Sequence, residues 1–299
     1  MLHRSMTLPA SDGRVLGVHV SGDPHGSPVF LLHGTPGSRM GPHPRAPVIH
    51  RLGVRLITMD RPGYGLSERR SGRRVADVAE DVAAVADGLG LERFAVVGRS
   101  GGAPHALACA ALLEERVSKA AVLAPIAPPD AQGLNWFQGM ARSNIIEYSS
   151  AAFGLPIVTR LLTAIAEQIR RDPTHLVPTI MHELPVPDQH MIADFGVRLR
   201  LATNFAEAVR RCGADGWVDD TLAFTRPWGF GPESVTAPTL VWHGEADVFS
   251  PVEHARWLGG RLPNAHLVIK QGAAHFDTIR VLPDALAWLV RKVAAPGPG

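Results

Sequence analysis

The chain has 299 residues, 45% hydrophobic and 19% charged, a balance that excludes a disordered or fibrous protein and leaves a globular one with material for a full core. Its formal net charge is only +2, and its longest basic cluster (Arg69, Arg70, Arg73, Arg74) reads as a solvated surface turn, so nucleic acid is not an expected partner. Two cysteines, Cys109 and Cys212, are too few for a disulfide scaffold and lack metal-ligand company, and no apolar run approaches the ~20 residues of a membrane-spanning helix.

Met1 to Ala10 shows no basic segment followed by a long apolar stretch, so no signal peptide is expected and the default is a cytoplasmic protein without a membrane partner. Strands are predicted at Val15 to Val20, Pro28 to Leu32, Arg55 to Met59, Phe94 to Val97 and Ala120 to Leu123, then at Thr239 to Trp242 and His266 to Ile269. Their apolar density suits strands buried on both faces. Helical spacing marks Val75 to Leu89, Ala103 to Leu113, Val252 to Leu262 and Pro283 to Val293, and the tail Ala295 to Gly299 is expected to fray. This alternation predicts an α/β fold with a mostly parallel sheet covered by helices.

From 127 to 235 the strand signals vanish, and apolar helical stretches are separated by Pro156, Pro173, Pro178, Pro185 and Pro187. The segment reads as a helical cap inserted into a core formed by 1–126 and 236–299. Trp136, Phe137 and Met140 on it either line an apolar substrate pocket or pack the cap helices together.

Phe94 to Val97 runs into Gly98-Arg99-Ser100-Gly101-Gly102, and a helix begins near Ala103. A strand, a sharp turn and a helix with serine at the apex raise the hydroxyl clear of the sheet, and small residues must flank it. The Gly101 N–H, at the helix start, can stabilise an oxyanion there. A serine hydroxyl needs a base and a carboxylate to orient that base. Two loops after later strands supply them: His243-Gly244-Glu245-Ala246-Asp247 and Gly272-Ala273-Ala274-His275-Phe276. The stretch Leu31-Leu32-His33-Gly34-Thr35-Pro36-Gly37 ends another strand in a tight turn.

Ser100, Asp247 and His275 in this order, each on a loop after its own strand, resemble the α/β-hydrolase fold family across essentially the whole chain outside the insertion. The resemblance implies a sheet with the cap inserted after its sixth strand, Ser100 as nucleophile, His275 as base and Asp247 as the orienting acid, with Glu245 and Asp130 as weaker candidates for the acid. It further implies that the H-G-x-P-G loop carries the second oxyanion donor, the N–H of Thr35, whose side chain can also line the pocket. His33 and His243 are expected to support their loops. Asp60-Arg61-Pro62-Gly63-Tyr64-Gly65-Leu66-Ser67 resembles the family's D-x-x-G-x-G-x-S loop and reads as scaffold. Arg99 departs from the residues often found beside the nucleophile. It either binds an anionic group or, the favoured reading, pairs with a neighbouring carboxylate.

The implied activity is acyl transfer on a small-molecule substrate, with no metal or organic cofactor. Serine at the elbow argues against epoxide hydrolases and haloalkane dehalogenases, which use a carboxylate there. An esterase for a small or medium apolar ester leads. A thioester or amide substrate, a tailoring acyltransferase or cyclase, a C–C bond hydrolase and a non-catalytic ligand-binding module remain open. The H-G-x-P-G loop also resembles proline iminopeptidases, a minor reading because the insertion shows no clear acidic recognition pair.

Overall fold

The apolar runs assemble into one eight-stranded sheet in the computed structural model, which describes residues 2–291. The tail Ala295 to Gly299 and the end of the last expected helix lie outside the described residues. In chain order the strands are β1 (Leu2–Pro9), β2 (Val15–Gly22), β3 (Ser27–Leu32), β4 (Val54–Met59), β5 (Phe94–Arg99), β6 (Val117–Leu123), β7 (Thr239–Gly244) and β8 (Ala265–Lys270). Their spatial order is β1-β2-β4-β3-β5-β6-β7-β8. The β1/β2 and β2/β4 pairs are antiparallel and every other pair is parallel.

Side chains alternate across each strand, as a period of two requires. Phe30, Leu32, Val96, Val122 and Val241 enter one core, while Leu31, Val97, Leu123, Leu240 and Trp242 enter the core on the opposite face. Helices α1 (Ala46–Arg51), α2 (Val78–Gly88) and α3 (Gly102–Leu112) belong to the first half of the chain. Val82 of α2 and Leu107 of α3 pack on the first face, and Ile49 of α1 on the second. β1 was not expected from the sequence. It is an edge strand whose Met6 and Leu8 are only half-buried, and Pro9 at its end is tolerated because an edge leaves backbone donors unpaired.

Between β6 and β7 the described structure contains helices and no strand: α4 (Arg142–Ala152), α5 (Leu155–Arg171), α6 (Leu176–Ile180), α7 (Val186–Ala193), α8 (Phe195–Ala208) and α9 (Asp215–Phe224). Pro156 and Pro187 sit in the first turns of α5 and α7, where a missing N–H costs nothing. The insertion has an apolar cluster of its own, with Val158, Leu162, Ile192, Leu201 and Trp217 at its centre. Helices α10 (Val252–Gly259) and α11 (Thr278–Val290) complete the two layers, placing Leu258 on the first face and Leu282 and Leu286 on the second.

The insertion is tied to the sheet by charge as well as by apolar contact. Asp220 of α9 is wholly buried and accepts hydrogen bonds from Arg61 Nη2 at 2.5 Å, Arg73 Nη2 at 2.6 Å, Thr35 Oγ1 at 2.7 Å and Tyr64 Oη at 2.9 Å. Burial opposes its charge, yet Arg61 and Arg73 hold its carboxyl well below the usual carboxylate range. Arg69 adds a two-toothed pair with Asp219, at 2.8 and 3.0 Å. The basic cluster is therefore not a free surface turn. Arg73 is buried and Arg69 is engaged, because the acids that neutralise them come from α9, some 150 positions later in the chain. Arg70 and Arg74 pair nearer the surface, with Glu80 and Asp77.

Replacing Asp220 by Asn leaves Arg61 and Arg73 buried without their counter-charge, and the expected loss of stability at neutral pH is about 3–5 kcal/mol. In the wild type this contribution is present above the ordinary carboxylate pKa and disappears as the pH falls through the lowered folded-state value. Urea unfolding of both proteins tests this; a difference below about 1 kcal/mol rules out Asp220 as the anchor.

Candidate active site

The C-terminal ends of the parallel strands share one sheet edge, where loops from separate strands can converge. At the end of β5 the backbone of Ser100 turns into the left-handed region, with φ of 53°, unusual for a residue bearing a Cβ. Ser100 N–H donates to Leu123 O on β6 at 2.8 Å, and Ser100 O accepts from Ala103 N at 2.8 Å, closing the turn into α3. The flanking residues have no room for side chains. A Cβ on Gly98 would overlap Gly102 O, and one on Gly102 would overlap Leu32 O and lie 2.6 Å from His33 O.

His275 and Asp247, on the loops after β8 and β7, come together with Nδ1 to Oδ2 at 2.8 Å. The remaining Asp247 oxygen accepts from the N–H groups of Phe249 at 2.8 Å and Ser250 at 3.0 Å, which fixes the carboxylate plane. His243 Nε2 sits 3.4 Å from the same carboxylate and 2.5 Å from Ser250 O. Glu245 instead lies at the surface beside Arg256, and Asp130 is exposed. Burial disfavours the His275 cation, but Asp247 and, more weakly, Asp188 outweigh it and hold its pKa above the usual 6.5. Burial likewise works against the Asp247 anion, and His275 turns the balance toward a lowered pKa. With Nδ1 committed to Asp247, Nε2 is the ring nitrogen left to act as a base. Ser100 and His275 line the same cavity, without a hydrogen bond between them among the described residues; in unliganded sites such contacts are commonly loose and tighten with substrate.

Asp188 was not singled out from the sequence. It belongs to α7, is fully buried, and accepts from Phe276 N at 2.7 Å and His275 N at 3.3 Å, so the insertion grips the backbone of the histidine loop. Burial raises its pKa to about 6. An aspartate inside a helix has no distinctive spacing, and only the fold brings it to His275.

Thr35 and Gly101 are in contact: a Cβ on Gly101 would overlap Thr35 Oγ1 and lie 2.8 Å from Thr35 Cβ. Among the described residues neither amide N–H has a protein acceptor. The Thr35 hydroxyl is committed, donating to Asp220 and accepting from Arg61 Nη2 at 2.9 Å. Arg61 also donates to Gly34 O at 3.2 Å and to His33 O. His33 lies beneath, its Nδ1 at 2.7 Å from Gly34 O and its Nε2 accepting from Arg61 N at 3.1 Å. Burial and Arg61 together push its pKa well below 6.5, so it is a neutral support.

These groups open onto a cavity of about 350 Å³ roofed by apolar side chains of the insertion, among them Leu161, Ile165, Leu201 and Phe205. Trp136, Phe137 and Met140 are not among its walls. Trp136 donates to Ala127 O at 2.9 Å and packs edge-on against Tyr148 and His254, Met140 is buried in the sheet's core cluster, and Phe137 is 39% exposed. Of the two readings of these residues, packing is what the structure shows. Instead Glu147 of α4 lines the cavity, its Oε1 accepting from Trp217 Nε1 and Thr221 Oγ1, both at 2.8 Å, and burial raises its pKa to about 7.

Arg99 lines the same cavity, and the favoured pairing with a carboxylate is absent: among the described residues its side chain makes no hydrogen bond and no ion pair. Burial alone lowers its pKa, to about 10, so it remains a cation at neutral pH.

Residues 27–279 match the family model described as the alpha/beta hydrolase fold, and the chain belongs to that family. It is 28% identical over 274 residues to the 2-hydroxy-6-oxononadienedioate/2-hydroxy-6-oxononatrienedioate hydrolase of Burkholderia vietnamiensis, covering 89% of this chain and 86% of that one. A shorter match, 35% identical over 97 residues, joins it to epoxide hydrolase B of Mycobacterium tuberculosis; it spans 31% of this chain and only 27% of that relative. Among solved structures, an alpha/beta hydrolase fold protein from Nakamurella multipartita superposes with a TM-score of 0.67 at 24% identity, covering 96% of this chain and 99% of that one. Among the described residues no helix is long and apolar enough to cross a membrane.

A neutral His275 is required if it is to accept a proton, so kcat/KM is expected to fall with acid through a limb above pH 6.5. Asp188→Asn removes one charge that raises His275 and loosens its loop. The limb should then move to lower pH and kcat should drop about 10- to 100-fold. pH–rate profiles of the two proteins decide: a lowered kcat with an unmoved limb leaves Asp188 with a packing role alone.

Proposed function

We propose that this chain is a serine hydrolase that cleaves a carboxylic ester through an acyl-enzyme on Ser100. The Ser100 oxygen attacks the ester carbonyl while its proton passes to His275 Nε2, and Asp247 stabilises the imidazolium that forms. The oxyanion accepts hydrogen bonds from the N–H groups of Thr35 and Gly101. The carbon–oxygen bond of the ester then breaks, and His275 gives its proton to the departing alcohol. Water adds to the acyl-enzyme by the same route in reverse, its proton passing through His275 back to Ser100, and the free acid leaves.

The observation that supports this reading best is the convergence of a serine at a strained apex, a histidine paired to aspartate at 2.8 Å, and two N–H groups without protein acceptors, around one cavity. A binding module has no need of all three. Serine at the apex also argues against epoxide opening, despite the partial match to an epoxide hydrolase.

Labelling with a fluorophosphonate tests the nucleophile: the wild type should react and Ser100→Ala should not, and equal labelling of both rejects the assignment. With p-nitrophenyl esters, Asp247→Asn is expected to lower kcat by about four orders of magnitude, because the wrong tautomer of His275 is then held. Near-normal turnover would remove Asp247 from the mechanism. Amides and β-diketones in the same panel separate ester cleavage from amide or carbon–carbon cleavage.

A further inference from the structure

The cavity wall beside Ser100 contains a cation, Arg99, that has no ion-pair partner among the described residues. Arg99 is the last paired position of β5, against Leu123, and it precedes the candidate nucleophile directly. The acids on this side of the site are already taken. Arg39, which shares a small recess with Arg99, holds Asp60 at 2.6 Å and Glu207 at 2.6 Å. Asp220 is bound by Arg61 and Arg73, and Asp247 by His275. Other titratable groups that face Arg99 are the imidazoles of His43 and His275, which are neutral or cationic in either protonation state and supply no negative charge. A guanidinium withdrawn from bulk water without a partner is costly. Its nitrogens are nevertheless not sealed off, because they are absent from the buried polar atoms that lack partners. Such a group is paired when an anion enters the cavity.

We propose that Arg99 binds a carboxylate carried by the substrate, so that the ester cleaved at Ser100 is an acidic one whose remaining atoms are apolar. A carboxylate is favoured because its two oxygens match the planar fork of the guanidinium. Arg99 and Ser100 line the same cavity, so one ligand can carry both the carboxylate and the scissile carbonyl. The apolar part of the wall, with Leu161, Ile165, Leu201 and Phe205, suits the uncharged remainder of such a substrate. The one acid on the wall, Glu147, already accepts two hydrogen bonds, and its raised pKa lessens its repulsion of an anionic ligand. This deepens the proposed hydrolase function and rests on it for the reaction, though not for the binding.

Two measurements test it. The first compares kcat/KM for the p-nitrophenyl monoester of adipic acid with that for p-nitrophenyl hexanoate, which has the same chain length and no carboxylate. The wild type should favour the acidic ester about 10-fold or more. That ratio should fall to about one or below in Arg99→Met and be partly restored in Arg99→Lys. The second measures binding of monomethyl adipate and dimethyl adipate by calorimetry to Ser100→Ala, with and without Arg99→Met; tighter binding of the monoester should depend on Arg99. Equal affinity for the two esters, or a preference that survives Arg99→Met, overturns the carboxylate site. Absence of turnover and of fluorophosphonate labelling would instead reject the hydrolase reading, and the calorimetry would still decide the role of Arg99. Thermal unfolding of Arg99→Met checks that it folds; removal of an unpaired charge should leave its Tm equal to or above that of the wild type.

Discussion

The architecture of the site depends on one buried carboxylate. Asp220 sits on α9 of the insertion, yet its partners, Arg61, Arg73, Tyr64 and Thr35, all belong to the sheet domain. A charge this deep is tolerated only when opposite charges and donors surround it. That requirement makes insertion and core one unit and fixes the Thr35 loop at its position beside Ser100. Arg61 extends the constraint by donating to the carbonyls of His33 and Gly34, so the loop is held through its backbone as well as through its threonine.

Asp188 does for the histidine loop what Asp220 does for the threonine loop. Both are aspartates of the insertion, and both act on loops at the C-terminal edge of the sheet. The insertion is therefore more than a roof over a cavity. It preorganises groups that would otherwise move on flexible loops, and preorganised donors and dipoles cost nothing further when charge develops on a substrate. The exception is Arg99, a charged group on the cavity wall that has no partner among the described residues. Where every other charge near the site is matched internally, an unmatched one is an address for a ligand.

Much of the fold was legible because it follows from local periodicity. The strands from β2 to β8 were found within a few residues, since β-branched and apolar runs mark them; burial on both faces, expected of all of them, fails for β8, an edge strand with no buried residue. β1 escaped because Met6 and Leu8, which pack on the core, are only half-buried, and one half-buried face of an edge strand is a weak signal. The site loops were legible for a different reason: glycines at 98 and 102 mark a place where backbone passes too close for a Cβ, and that steric demand is written in residue type. Arg73 was misjudged, and Trp136 was left between two readings, for one reason. A charge cluster and an aromatic each have a common environment, and here Asp220 and His254, which help decide the matter, are remote in sequence.

The amino-acid sequence by itself determined the α/β alternation, the helical insertion, the serine at a strand-to-helix turn and the acid and base that follow later strands. These are properties of spacing and residue type, and they need no knowledge of what lies across the molecule. Only the tertiary structure decided that His275 meets Asp247 and not Glu245, that Asp188 and Asp220 carry the insertion's grip on the site, and that Arg99 has no carboxylate partner among the described residues. Each is a statement about which charges come within a few ångströms of one another, and electrostatic pairing depends on distance through space, to which distance along the chain gives no guide.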